Sequence, residues 1–438
     1  MLGQRSFLRM PQDANINVAI PMIAINFAFF MISELVYKIN AFEGISDVLS
    51  EINLSESPIR TPAIGQIQKK FGEFTPLALE QYKLRVKSAH KLPQHARAGC
   101  LFWQRSFEQC SSEAVALWKA QAFPVDTLLS ITGGLGVDEW AWSKNGTHVI
   151  SCDIQSDLNA LVRYNQARLK CSYERLDMDA LSLLSLHQTQ TQGWVYVDPD
   201  RRQDLERLGG YWEQFQPRID ELIETFGTYY SHWIVKMSPM TDFRVLRKAL
   251  PGKIQFTSIF HQGEVKELLL HISVNEEATT ETRSIHIDAL GAVTEFSAAV
   301  LSTFAEAVSP EIQNDSQTYI FEPNGGLNNL NLNGLFSGLP FMTAQNQSET
   351  LFTSAVMLPF QWGRCKSVLY YYEGSLNDIK RGLQRNSVVE ASVKVRDARG
   401  LKTELAQKKL GLRESAINVL FITQKGSQFG AWLAGNEA

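Results

Sequence analysis

Two stretches of the chain carry residue types and spacings that could do chemistry. In Val195-Tyr196-Val197-Asp198-Pro199-Asp200-Arg201-Arg202 an apolar run ends on a carboxylate held by a proline, whose ring fixes φ. Asp198, with the carbonyl beside Pro199, could accept the N–H of a planar nitrogen and free its lone pair to attack a methyl group. Arg201 and Arg202 are fork-shaped donors suited to phosphate. A surface turn with Asp–Arg pairing is the plain alternative. Lys236, in Lys236-Met237-Ser238-Pro239-Met240, could form the other wall of a substrate site or simply end a strand. The second stretch is Thr132-Gly133-Gly134-Leu135-Gly136, with Asp138 just after it and Asp153 at the end of the next apolar run. Its glycines let backbone approach a ligand, and Asp153 could accept both hydroxyls of a ribose. The spacing is not GxGxxG, so a pyrophosphate cradle is disfavoured. Adenosine without pyrophosphate means S-adenosyl-L-methionine; the bland alternative is an ordinary strand-to-helix turn.

Placing these groups requires alternating strands and helices. Residues 128–131 and 147–152 read as strands flanking a helix over 137–144. Helices follow over 156–170, 180–187, 213–226 and 243–250, with strands over 173–176, 194–197, 232–237, 253–260 and 268–274. This is a seven-stranded, doubly wound Rossmann-like α/β sheet closing on a hairpin, in which ligands bind at the carboxyl ends of the strands. Asp179 lies at one such end and could accept an adenine amino group. Upstream, Ser111 and Ser112 precede Glu113 and an alanine-rich run, an N-cap signature. The helix either packs plainly on the sheet or acts as a lid over the methionine end of the cofactor.

The 438 residues favour two or three domains, and 44% hydrophobic with 20% charged residues suits a packed core. A net charge of −4 argues against non-specific coating of nucleic acid but not against a local basic groove. Five scattered cysteines, without CxxC or a histidine cluster, argue against structural zinc and disulfides and fit a cytoplasmic protein. The apolar run 18–32 is interrupted by Pro21 and Asn26 and is short for a membrane helix. It is open to reading as a signal or anchor, a buried helix, or a non-native extension ending at Met31. Residues 32–92 read as mostly helical. The basic set Lys83, Arg85, Lys87, His90, Lys91, His95 and Arg97 is either a solvated face or a phosphate contact. Residues 275–282 read as a polar linker to a C-terminal α+β module. There, residues 378–413 hold ten Lys or Arg against four Asp or Glu, a candidate RNA-facing surface or an ordinary solvated face. Tyr370, Tyr371 and Tyr372 alternate across a strand, so at most one face of them could stack bases.

In order, EQCSSEAVALWKA, TGGLGVD, VDPDRR, KMSPMTD and EVKELL resemble bacterial class I S-adenosylmethionine-dependent methyltransferases with a THUMP-like C-terminal domain. Tyr319 to Asn324 and Gly363-Arg364 are similar to that C-terminal module. The resemblance covers roughly residues 79–424 and implies a methyltransferase domain over 107–275 and a THUMP-like α+β domain over 284–430; the residue pattern alone gives an apolar extension over 1–31 and a helical region over 32–106. The resemblance also implies an S-adenosyl-L-methionine cofactor and RNA as substrate, while the expectation of no metal and no membrane comes from the cysteine pattern and the short, interrupted apolar run. Thr132, Gly133, Gly134, Gly136, Asp153 and Asp179 would hold the cofactor, with Ser112 and Glu113 contacting it from the Ser-Ser-Glu segment at the start of the domain. The family carries an acid where this chain has Ser130, an acid that helps hold the methionine amino group; Asp138 is near enough in sequence to compensate. A non-catalytic RNA-binding protein retaining the fold is the alternative. A nicotinamide-dependent oxidoreductase is disfavoured by the missing GxGxxG and the terminal hairpin.

Overall fold

The computed structural model describes residues 65, 68–69, 72, 75–188, 193–201, 215–308 and 318–435. The extension expected over 1–31, nearly all of 32–74, and Arg202 lie outside the described residues. The chain forms two compact units, Met1–Leu186 and His187–Ala438. No helix among the described residues is long and apolar enough to cross a membrane.

In the first unit, helices α1 (Thr75–Lys91), α2 (Pro93–Arg97), α3 (Gln104–Gln109) and α4 (Glu113–Ala122) lead into the alternating segment. That segment runs β1 (Thr127–Ser130), α5 (Val137–Lys144), β2 (His148–Asp153), α6 (Ser156–Leu169), β3 (Glu174–Asp177) and α7 (Ala180–Leu186). The three strands are parallel, with Leu128 opposite Val149 and Cys152 opposite Leu176. Leu128, Leu129, Val149 and Ile150 are buried, as expected of strands covered on both faces. Ser112 caps α4 by accepting from the Val115 N–H at 3.4 Å. The basic stretch before it is no uniform solvated face. Arg85 and His95 are buried, while Lys83, Lys87, His90 and Arg97 are exposed.

In the second unit the chain forms β4 (Trp194–Val197), β5 (Asp200–Arg201), β6 (Phe215–Gln216), α8 (Ile219–Phe226), β7 (His232–Met237), α9 (Phe243–Ala249), β8 (Lys253–His261), β9 (Glu264–Ser273), β10 (Thr280–Ile287), β11 (Val293–Phe296) and α10 (Ala298–Val308). Its strands order β4-β7-β9-β8-β10-β11, with β4 and β7 parallel and β8–β9 an antiparallel hairpin. Gln262 and Gly263, at the hairpin tip, both have positive φ, the backbone twist that two-residue hairpins favour. Two expectations are corrected. The helix foreseen from residue 213 begins at Ile219, because Pro217 biases Gln216 towards extended backbone; Phe215 and Gln216 pair instead with Asp200 and Arg201. The linker foreseen over 275–282 ends early, and the sheet does not close on its hairpin. Thr280 starts β10, which pairs in parallel with β8 over eight residues, and β11 follows antiparallel. The polar residues before it masked the inward alternation of Ile285 and Ile287.

The remainder of this unit is an α+β module of β12 (Tyr319–Pro323), α11 (Gly325–Asn329), β13 (Met342–Ala344), β14 (Phe352–Ser354), β15 (Gly363–Gly374), α12 (Leu376–Arg385), β16 (Ser392–Arg396), α13 (Thr403–Leu410), β17 (Val419–Lys425) and β18 (Gln428–Gly435). Its seven strands order β13-β14-β12-β15-β18-β17-β16. Leu383, Leu420, Ile422 and Leu433 pack one face of it. Tyr370 and Tyr372 share a face, whereas Tyr371 packs against Trp432 at 5.0 Å. In the basic segment, Arg396 and Lys394 (3.3 Å) converge with Arg364 (3.1 Å) on the Glu322 carboxylate, so Arg396 is not a freely solvated cation.

Because Ile285 is buried at 2% exposure in β10, Ile285→Ala should cost about 2–5 kcal/mol in urea unfolding, the range for emptying a core position. A change within about 0.5 kcal/mol, as at surface positions, would return this segment to a linker.

Candidate functional site

The glycine turn follows the buried end of β1. Gly134 (φ +49°) and Gly136 (φ +79°) take left-handed backbone that favours glycine. Gly133 is required for a different reason. A Cβ there would lie 1.7 Å from Nη1 of Arg175, whose guanidinium fills the space beneath the turn. Arg175, on β3, is 5% exposed. It donates to the Gly134 carbonyl (2.8 Å), Ser151 Oγ (3.0 Å) and Asn159 Oδ1 (2.6 Å), and stands 3.9 Å from Asp153 Oδ2. The bonds to the turn, to β2 and to α6 lock three elements around one cation.

Asp153 ends β2, as the strand pattern required. Its Oδ2 accepts the Gly134 N–H and its Oδ1 the Gln155 N–H, each at 3.0 Å. Its side chain is 12% exposed. An ionised carboxylate offers about four acceptor sites, so these two bonds leave capacity for a ligand. Thr132, half-buried, opens the turn.

The acids at the start of α5 have distinct partners. Asp138 is paired with Lys119 Nζ on α4 (2.7 Å) and accepts from Ser111 Oγ (3.0 Å), with Lys119 fully buried. Ser111, Lys119 and Asp138 thus pin the N-terminal segment to α5. Glu139, one residue on, accepts the hydroxyl of Ser130 and is 2% exposed. Burial pushes its carboxyl up to about 7, with Arg175 opposing the shift and Asp138 adding to it. The acid brought to Ser130 is therefore Glu139. Glu113 turns towards α2, accepting the N–H groups of Gln94 (2.7 Å) and His95 (3.0 Å) and the His95 ring (2.7 Å). Burial raises its pKa, but these hydrogen bonds outweigh that and hold it below the ordinary glutamate value. Asp179, exposed, caps α7 through Ser182 N (3.0 Å) and Ser182 Oγ (2.7 Å).

In the second unit, Asp198 follows β4 and Lys236 lies near the end of β7, and the parallel pairing of these strands brings them together. Lys236 Nζ is 2.7 Å from Asp198 Oδ2, with side chains 10% and 34% exposed. Pro199 is buried. Arg201 lies in β5, and Arg202 is outside the described residues. Sequence reasoning missed Arg175, Glu139 and Lys119. Arg175 left one signal, a charged residue at an inward position of a short strand. Among the described residues no cluster of His, Cys, Asp and Glu could hold a metal ion.

No protein-family profile and no curated protein sequence matches the chain. Solved structures do. A Porphyromonas gingivalis protein provisionally described as a methyltransferase aligns over 93% of this chain and 98% of its own, at 20% identity and a TM-score of 0.68. The two share a fold. A tRNA methyltransferase from Aquifex aeolicus aligns over 38% of this chain and 70% of its own, at 10% identity and a TM-score of 0.29. That overlap is too slight to carry an argument.

The raised Glu139 carboxyl makes a stability prediction independent of ligands. The folded state binds the extra proton between the ordinary 4.5 and about 7, so this group's contribution to stability is lost as pH rises through that window. Glu139→Gln should match the parent near the lower end and become the more stable of the two above the upper end. Urea midpoints that differ by the same amount at every pH would contradict this.

Proposed function

We propose that the chain is a cytoplasmic S-adenosyl-L-methionine-dependent methyltransferase that modifies a nucleobase nitrogen in RNA. The observation that carries the reading is the Asp153 carboxylate bonded to the N–H of Gly134 at the tip of a glycine turn. The fold shared with the Porphyromonas gingivalis protein supports it. The donor set fits the cofactor: a carboxylate with acceptor capacity, two left-handed glycines and a second acid bonded to Ser130 at the end of β1. Bound S-adenosyl-L-methionine would supply an electrophilic methyl group on a sulfonium.

The chain's own residues then have separable roles. Asp153 accepts ribose hydroxyls, and Thr132, Gly133, Gly134 and Gly136 shape the backbone against the adenosine. Glu139 takes the place of the acid missing at Ser130 and neutralises the methionine ammonium. On this reading the serine at 130 is no argument for a retired, non-catalytic fold. Ser111 and Asp138 act with Lys119 by fixing α4 against α5, Ser112 caps α4, Glu113 ties α4 to α2, and Asp179 stays with its helix cap. Asp198 accepts the N–H of the nucleophilic nitrogen, oriented by Lys236 and by the rigid Pro199, while Arg201 and Arg202 meet phosphate. The work is positioning and desolvation. The α+β module over 318–435, read as THUMP-like, presents the RNA.

Calorimetric titration of the purified chain with S-adenosyl-L-methionine, its demethylated product and NAD should give binding of the first two alone. Asp153→Ala should weaken that binding by about 1–3 kcal/mol, the scale of bonds to a charged group; unchanged affinity in a folded variant places the ligand elsewhere. Asp198→Asn should leave cofactor affinity nearly intact yet slow single-turnover methylation of unmodified RNA by a factor of about 10² or more. Equal rates would make Asp198 a strand cap.

A further inference from the structure

Strand β7 ends at Met237, and the chain then turns at the carboxyl end of the sheet, the same end at which Asp198 follows the parallel strand β4. The turn is Ser238-Pro239-Met240-Thr241, closed by the Thr241 N–H donating to the Ser238 carbonyl at 3.0 Å. Pro239 takes its second position, where a ring that fixes φ is favoured. The Met240 N–H donates to Ser238 Oγ at 3.2 Å. Thr241 is buried, and Asp242 goes on to cap α9 by accepting the Arg244 N–H at 2.9 Å. The Pro239 carbonyl is held from 90 residues away, accepting from Asn329 Nδ2 at 2.6 Å.

Asn329 ends α11, and that helix is itself closely seated. A Cβ on Gly326 would lie 2.5 Å from Ser284 Oγ on β10 and 3.1 Å from Phe260 Cβ on β8. Asn324 caps α11 by accepting the Leu327 N–H at 3.1 Å, and its Nδ2 donates to the Gln361 carbonyl at 2.6 Å. The turn is thus fastened to β7, α9 and α11 before any substrate arrives, which lowers the ordering cost of a contact made from it.

The Met240 side chain stands out from this fastened turn at 84% exposure, whereas Met237 just before the turn is 4% exposed. Single exposed apolar side chains are common and need no explanation. This one is distinguished by its carrier and its neighbours. It lies four residues beyond Lys236, whose Nζ is bonded to Asp198 Oδ2 at 2.7 Å. Four residues of extended chain reach at most ~14 Å, and closure of the turn shortens that span. Met240 therefore flanks the Asp198–Lys236 pair. An unbranched thioether adapts to flat surfaces and makes favourable contacts with aromatic rings.

We propose that Met240 is the apolar contact for the target base of the RNA, packing its thioether against the ring whose N–H is accepted by Asp198. The choice of RNA rests on the methyltransferase reading, and the choice of residue rests on the turn.

The test is an oxidation footprint on the full chain. Hydrogen peroxide converts an exposed methionine to its sulfoxide, and the rate at Met240 is read by peptide mass spectrometry with and without a saturating short unmodified single-stranded RNA. Met357, 65% exposed, is the internal reference. RNA should slow oxidation at Met240 beyond any change at Met357, in proportion to the fraction of chain bound, and an abasic strand of equal length should not. Met240→Ser should weaken binding of the same RNA roughly two- to tenfold at one fixed salt concentration, the scale of a sulfur–aromatic contact, with a matching melting temperature showing that the variant is folded. Oxidation unchanged by RNA, equal protection by the abasic strand, a parent that binds no RNA, or a serine variant that binds as the parent does would overturn the proposal. S-adenosyl-L-methionine is titrated into the same samples. Cofactor binding without protection of Met240 sinks this inference alone, and protection without cofactor binding upholds the contact while the methyltransferase reading fails.

Discussion

The buried guanidinium of Arg175 is the constraint around which the first unit is arranged. A cation at 5% exposure is tolerable only where it is hydrogen-bonded and offset by charge. Its donors meet the turn, β2 and α6, and the carboxylates of Asp153 and Glu139 lie near it. One consequence is that Gly133 must lack a side chain. Another is that the Gly134 peptide is gripped from both ends, its carbonyl by Arg175 and its N–H by Asp153. The turn is thereby fixed by the protein before any ligand arrives, which lowers the ordering cost of binding.

The acids around this turn show how one polar network can be redistributed among neighbouring positions. Ser130 is fully buried and its hydroxyl is directed to Glu139. Asp138, nearer in the expectation, is occupied by Lys119 and Ser111. A helix advances about 100° per residue, since 3.6 residues complete a turn. Adjacent acids on α5 therefore face different neighbours, one towards α4 and one towards β1. Glu139 is left as the acid in contact with the strand end, and its elevated pKa is the cost of that burial.

Much of this architecture was legible in the chain. Apolar runs of four to six residues ending in a polar turn gave β1, β2, β4 and β7 nearly at their observed limits, and serine before an acidic, alanine-rich run gave the start of α4. What escaped was interior charge. Arg175, Lys119 and Glu139 carry residue types that periodicity assigns to solvent, and their burial depends on partners distant in sequence: Asn159, Ser111 and Ser130. Glu113 was legible as part of a capped helix, yet its bonds to the start of α2 were not, because they join positions 18 and 19 residues apart. The polar segment before β10 misled for the converse reason. Composition averaged over 275–282 concealed the strand that begins inside it.

The central claim is that the Arg175-braced turn is where the cofactor binds. Amide hydrogen exchange of the full chain, with and without saturating S-adenosyl-L-methionine, tests it most directly because it reports location without requiring activity. The account predicts added protection concentrated in residues 131–140 and 151–156, with no comparable change in the module over 318–435. Protection confined to other segments, or none anywhere despite calorimetric binding, would contradict it.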